Sequence, residues 1–192
     1  MNTTLPATER AIPFKDRGPW IQTFSGRAFH YEDPQPEDIH IEDIAHALGK
    51  QCRFGGHTNR FYSVAEHSVL VSRQFADPEL RLIGLLHDAT EAYMLDLPKP
   101  LKNLLPAYSE YEGRLWRVIA KKFGLATEIP AAIHEVDVRM LITEREQLFR
   151  TLLPWPKYAG VLPYEGLRLQ CWLPGAAQID FSCEYHEIQR LR

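Results

Sequence analysis

The stretch Leu85-Leu86-His87-Asp88-Ala89-Thr90-Glu91 ends an apolar run with three side chains that bind cations or move protons. His87 and Glu91 are four apart, and Asp88 and Glu91 three apart, so a helix brings them near one face. Leu80, Ile83 and Leu86 mark that helix as otherwise buried. Ionisable groups at the edge of a core need partners, and a neutral imidazole beside a carboxylate suits a divalent metal. Two further candidates are His67 and Asp137, the latter set within an apolar face of Ile133, Val136, Met140, Leu141 and Leu148. Each alone reads as readily as a satisfied core or surface group. Together, His67, His87, Asp88 and Asp137 read as ligands of one divalent ion, with zinc, cobalt, manganese and magnesium all compatible.

Metal chemistry on phosphate also needs cations. Residues 50–62 form an expected loop with Lys50, Arg53, Arg60 and His57, leading into the segment that bears His67. A guanidinium binds phosphate through a two-pronged fork. Arg53 and Arg60 both qualify as the main phosphate ligand. Because Arg53 stands in a glycine-containing loop, it is expected to serve substrate more than folding. Lys99 and Lys102 could add positive potential, or simply be solvated.

The elements that must position these groups are mostly helical. Ser63 with Glu66 reads as a capping box opening the His67 helix, which runs to about Phe75. Asp77-Pro78 opens a helix from Glu79 to about Tyr93, broken by the rigid loop Asp96-Leu97-Pro98-Lys99-Pro100. A helix over about 108–123 ends at Gly124, and Thr127 caps a long helix to about Leu153. Earlier, a helix spans about 41–48 with Gly49 as its stop, preceded by two short strands within 20–31. Residues 1–19 read as an arm, 166–173 as a strand, and the chain from about 178 as a short helix. The expected class is all-α with a short peripheral β-ribbon, in one domain over 1–192. Its core lies at about 41–153, with arm and ribbon over 1–40 and an extension over 154–192. His30, His40, His46, His134 and His186 are read as solvated.

Composition narrows the function classes. The 192 residues are 45% hydrophobic and 24% charged, with net charge −3. That is enough for one buried core, and it offers no basic stripe for nucleic acid. No apolar run reaches the ~18 residues of a membrane span, and no signal peptide is expected. Three scattered cysteines fit a reducing cytosol, so a cytoplasmic protein is expected.

The pattern His67, His87-Asp88, Asp137 resembles the H…HD…D signature of the HD-domain metal-dependent phosphohydrolases. VAEHS at 64–68 and LLHDATEAYMLDLPKPLK at 85–102 are similar to the bacterial 5′-deoxynucleotidases and to the small phage and prophage deoxynucleotide phosphohydrolases. The likeness covers about 50–150. It implies an HD-type helical bundle, one bound divalent metal, and hydrolysis of a nucleotide phosphate. The expected substrates are deoxynucleoside 5′-monophosphates, with triphosphates such as dATP as the alternative. A nucleotide-binding regulatory module without turnover is the alternative of another class. By the same resemblance Glu91 is the general acid or base, Arg53 and Asp96 act at the reacting phosphate and sugar, and Phe54 stands where the family usually has Trp. Arg53, Phe54, His57, Arg60, Asp96 and Lys99 are the substrate-binding candidates. No nucleic-acid or membrane partner is expected, and a homo-oligomer, dimer or larger, is left open.

Overall fold

The computed structural model describes residues 15–192. It is mainly helical with one small antiparallel sheet, the class expected from periodicity. Most of the arm expected over 1–19 lies outside the described residues. Its described end is tied down by Arg17, which reaches both oxygens of Asp38 at 2.7 and 2.6 Å.

The ribbon pairs β1 (Trp20–Gln22) with β2 (Ala28–His30) in the register Trp20↔His30, Ile21↔Phe29, Gln22↔Ala28. Its turn docks on α1 (Ile41–Lys50), because the buried Asp43 carboxylate accepts from Ser25 N and Oγ at 2.7 and 2.8 Å. His30 is buried rather than solvated, and His46 stacks on Phe24 with ring centres 3.6 Å apart. Gly49 is not the stop of α1, which continues to Lys50. A Cβ on Gly49 would lie 2.9 Å from Pro174 O, so its glycine character serves close approach to α8 (Pro174–Leu191).

Ser63 caps α2 (Val64–Ser72) by accepting from Glu66 N at 3.0 Å, but only half of the expected capping box forms. The Glu66 carboxylate turns away and accepts the N–H groups of Gln170, Cys171 and Trp172 at 2.8, 2.9 and 2.7 Å. Gln147 takes Leu169 N at 3.1 Å. These side chains supply what a neighbouring strand would have supplied, and 166–173 is not the strand expected there; Gly166 and Cys171 have φ of +75° and +56°.

Asp77 and Pro78 open α3 (Pro78–Leu86) as expected, with Asp77 accepting from Leu80 N at 3.0 Å. The single helix expected to Tyr93 is broken. His87–Thr90 are turns, and α4 (Glu91–Met94) is one turn long. A further turn of helix, α5 (Lys99–Lys102), occupies part of the expected rigid loop. α6 (Pro106–Phe123) ends at Gly124, whose φ of +68° is the left-handed cap that glycine takes readily. α7 (Ala131–Leu148) starts after Pro130 without a side-chain cap, so Thr127 is not its cap and the helix stops short of Leu153. α8 is 18 residues long rather than short, with Pro174 in its first turn.

The core joins Ile44 and Leu48, Val64 and Val69, Leu82 and Leu86, Ile119, Ile133, Phe181 and Ile188 in one cluster. Phe29 of the ribbon belongs to it as well. The core therefore reaches beyond 41–153, with α8 as a full member. Burying a side chain of this size contributes about 1.5–3 kcal/mol, which is what holds the helices carrying the polar residues in register.

Candidate functional site

Close packing of α2 on α3 sets the geometry. A Cβ on Gly84 would lie 3.2 Å from Ser72 Cα, so only glycine lets the two helices come this near without displacement. Across that contact the Nε2 atoms of His67 and His87 face each other at 3.3 Å. Beyond Leu86 the backbone tightens to i→i+3 bonds, Ala89 N to Leu86 O at 2.8 Å and Glu91 N to Asp88 O at 3.0 Å. At about three residues per turn, Asp88 and Glu91 share a side.

The Nδ1 partners decide what the two rings offer. His87 Nδ1 lies 2.7 Å from Gly84 O, a carbonyl that can only accept, so Nδ1 carries the proton. His67 Nδ1 lies 2.6 Å from Glu144 Oε1 and donates to that carboxylate. In the neutral form of each ring Nε2 is therefore the lone-pair atom, and these two atoms face one another. Asp88 Oδ2 lies 3.5 and 3.4 Å from the Nε2 atoms of His67 and His87. Asp137 Oδ1 lies 3.2 and 4.0 Å from the same two atoms. Nε2 of His67, Nε2 of His87 and a carboxylate oxygen of Asp137 form one group able to hold an ion, and Asp88 Oδ2, paired with Arg53 Nη1, lies beside the imidazoles. Ligands about 2.1 Å from one ion are separated by roughly 3.0–3.4 Å in octahedral or tetrahedral geometry, close to most of these spacings.

Without a metal, the surrounding carboxylates favour a second proton on His67. Burial and Arg53 press the His67 pKa down, yet the carboxylates of Glu144 and Asp137 outweigh them and raise it to about 10. Burial raises the Asp137 pKa, but the bond to His67 and the charges of both histidines pull it well below the usual range. A proton on His67 Nε2 can serve Asp137 or His87 but not both well. A divalent cation would serve both imidazoles and Asp137 at once, with Asp88 Oδ2 beside them, so these residues fit a metal. The imidazoles are buried at the back, whereas the side chains of Asp88 and Asp137 are 21% and 31% exposed, on the side open to a cavity.

Sequence reasoning missed Glu144. It is fully buried and takes three donors: His67 Nδ1, Tyr62 OH at 2.8 Å and Arg53 Nε at 3.1 Å. Burial raises its pKa, but Arg53 and His67 more than offset this and hold it as a carboxylate. The available signal was spacing, since Glu144 lies seven residues, two helical turns, beyond Asp137 on α7.

The cavity, of about 740 Å³, is lined by Arg53, Phe54, His57, Asp88, Glu91, Asp96, Lys99, Lys102 and Asp137 among others. Glu91 is buried, not an exposed helix glutamate. Its Oε1 pairs with Lys102 Nζ at 3.3 Å, and Oε2 has no hydrogen-bond partner among the described residues. Burial, then the charges of Asp88 and Asp96, hold the Glu91 carboxyl well above the usual range. Gln51 braces this wall, donating to Glu91 O at 2.8 Å and accepting from Asp96 N at 3.0 Å.

Two expectations change. Arg53 is not a loose loop residue; it is 8% exposed and bridges Glu144 to Asp88, with Nη1 3.4 Å from Asp88 Oδ2. Its removal must therefore cost stability. Arg60 is exposed and absent from the cavity lining, which leaves Arg53 as the arginine at the site. His134 is exposed, as the sequence reading has it, and also lines the cavity one turn before Asp137.

No helix among the described residues is long and apolar enough to cross a membrane. No family model matches the chain. Over 174 residues it is 40% identical to the uncharacterized protein YfdR of Escherichia coli (strain K12), spanning 90% of this chain and 97% of that protein. Over 142 residues it is 40% identical to the uncharacterized protein RCAP_rcc00048 of Rhodobacter capsulatus, 67% of this chain and 72% of the relative. The chain belongs to the family of YfdR and RCAP_rcc00048.

Proposed function

We propose that this protein is an HD-domain metal-dependent phosphohydrolase that releases phosphate from deoxynucleoside 5′-monophosphates, with deoxynucleoside triphosphates as the alternative substrates. The observation that supports the reading is the meeting of Nε2 of His67, Nε2 of His87 and a carboxylate oxygen of Asp137, with Asp88 Oδ2 beside the imidazoles, behind a cavity that Asp88, Asp137, Arg53 and Lys102 line. A divalent ion held there would supply Lewis acidity toward phosphate and a lowered pKa for water.

The chain's own residues do the rest. Arg53 spends two of its N–H donors on Glu144 and Asp88, and a guanidinium has five, so donors remain for a phosphate oxygen. Being braced at both ends, it binds without first losing side-chain freedom. Glu91 Oε2 is the free proton site in the cavity wall, suited to take a proton from attacking water or give one to the departing oxygen. Lys102, paired with Glu91 and with Glu112 at 2.7 Å, fixes that carboxyl in place.

The surroundings of Glu91 favour a second reading. A carboxyl kept protonated by burial and by the charges of Asp88 and Asp96 is no base, as suits a nucleotide-binding module without turnover. The test is phosphate release from a panel of ribo- and deoxynucleoside mono-, di- and triphosphates with zinc, cobalt, manganese and magnesium in turn. Metal-dependent release abolished by Asp137→Ala supports hydrolysis. Tight nucleotide binding with no release under any metal supports the binding module.

A further inference from the structure

A ladder of aromatic rings leads away from the carboxylate floor. Arg53, bonded to Asp88, holds its guanidinium 5.4 Å from the centre of the Phe54 ring. Phe54 meets Phe149 at 5.2 Å and 86°, Phe149 meets Trp155 at 6.1 Å and 79°, and Trp155 meets Tyr158 at 6.2 Å and 58°. All four rings line the cavity, with Leu141 and Pro154 beside them. No pair in the ladder is stacked face to face; the rings meet edge to face or tilted.

Phe54 and Phe149 pack against the cluster of Tyr62, Leu148 and Leu169, but core packing does not explain the two outer rings. Trp155 and Tyr158 belong to neither apolar cluster of the core, yet both are only half exposed. Trp155 is also held in place. The Arg145 guanidinium sits 5.1 Å from its ring centre and donates to Leu153 O. A large ring, fixed from one side and lining a cavity from outside the core, is a preformed contact surface for a ligand.

We infer that this half of the cavity is a nucleobase subsite, with Trp155 as its main stacking surface. The inference rests on the phosphohydrolase reading for the phosphate end. What it adds to that reading is the surface that would hold the base of the nucleotide. Sugar phosphates and inorganic polyphosphates carry no base, and the ladder would be idle with them. Phe149, Trp155 and Tyr158 thereby give the segment after α7 a role in substrate choice.

The test compares dAMP with 2-deoxyribose 5-phosphate, which lacks the base, on the full chain with saturating divalent metal. Binding is read by calorimetry and turnover by phosphate release, for the wild type, Trp155→Ala and Trp155→Phe. Loss of a base–aromatic stack is expected to weaken dAMP roughly 5- to 150-fold in Trp155→Ala. Trp155→Phe should recover much of this, and 2-deoxyribose 5-phosphate should bind all three proteins alike. Equal weakening of both ligands, or of neither, overturns the subsite. So does a wild type that prefers dAMP no more than the base-free phosphate. Base-dependent binding without phosphate release keeps the subsite and removes the phosphohydrolase reading. Release from both compounds, indifferent to Trp155, keeps that reading and removes the subsite.

Discussion

Glu144→Gln is the substitution with the most to say about this site. The carboxylate has no exposed surface and receives donors from His67, Tyr62 and Arg53. A glutamine is nearly the same size, but it loses the charge that balances buried Arg53 and turns one oxygen into a donor facing donors. Leaving a buried charge uncompensated costs about 3–5 kcal/mol. For a chain of this size each kcal/mol moves Tm by about 2–4 °C, so the metal-stripped variant should melt roughly 6–20 °C lower. A second effect is separable. Glu144 fixes the His67 tautomer, and loss of such a partner costs about 10- to 100-fold in metal affinity. At saturating metal the variant should then lose a further ~1.4–2.7 kcal/mol relative to the wild type. Calorimetric melts with and without added metal, plus direct metal titration, measure both parts. The pH dependence carries a signature as well. In the metal-stripped wild type, Glu144 has a lowered pKa, so its contribution is present above about 4.5 and lost as pH falls through the folded value. His67 has a raised pKa, so its contribution is present below about 6.5 and lost as pH rises toward about 10. Stability should peak between these limits and flatten in Glu144→Gln. A variant with wild-type Tm and wild-type metal affinity would refute the role given to Glu144.

Glu91→Gln keeps the buried volume and removes the proton site, so metal and nucleotide should still bind while turnover falls about 10²- to 10⁴-fold. Unchanged turnover with metal bound would remove Glu91 from the chemistry, and lost metal would make it a ligand. Gly49→Ala puts a methyl 2.9 Å from Pro174 O and 3.2 Å from Gln178 N, both backbone atoms. Overpacking of this kind costs about 1–3 kcal/mol, visible as a lower Tm with metal affinity intact, whereas an unchanged Tm would show that α8 yields freely.

Local chemistry made much of the architecture legible. Ser63 and Asp77-Pro78 announced two helix starts, Gly124 announced a helix end, and the apolar spacing of α6 and α7 gave their buried faces. What failed depended on distant partners. Gly49 reads as a stop until α8 is packed against it, and 166–173 reads as a strand until Glu66 and Gln147 take its N–H groups. The helix break at His87–Thr90 was hidden because LLHDATEAY has no glycine or proline to mark it. At the site, the sequence reads His67, His87, Asp88 and Asp137 as a set; the structure groups ligand atoms of His67, His87 and Asp137, with Asp88 Oδ2 3.5 and 3.4 Å from the two imidazoles. Glu144 was not, because a glutamate in EREQL looks like a solvated face until His67, Tyr62 and Arg53 surround it. Arg53 looked free for substrate for the same reason.

The most direct test of the account is anomalous X-ray diffraction from crystals grown with cobalt or manganese, recorded at the metal's absorption edge. The account predicts one ion per chain, bonded to Nε2 of His67, Nε2 of His87, and one carboxylate oxygen each of Asp88 and Asp137. An anomalous peak elsewhere, or none at this cluster with saturating metal present, would contradict it.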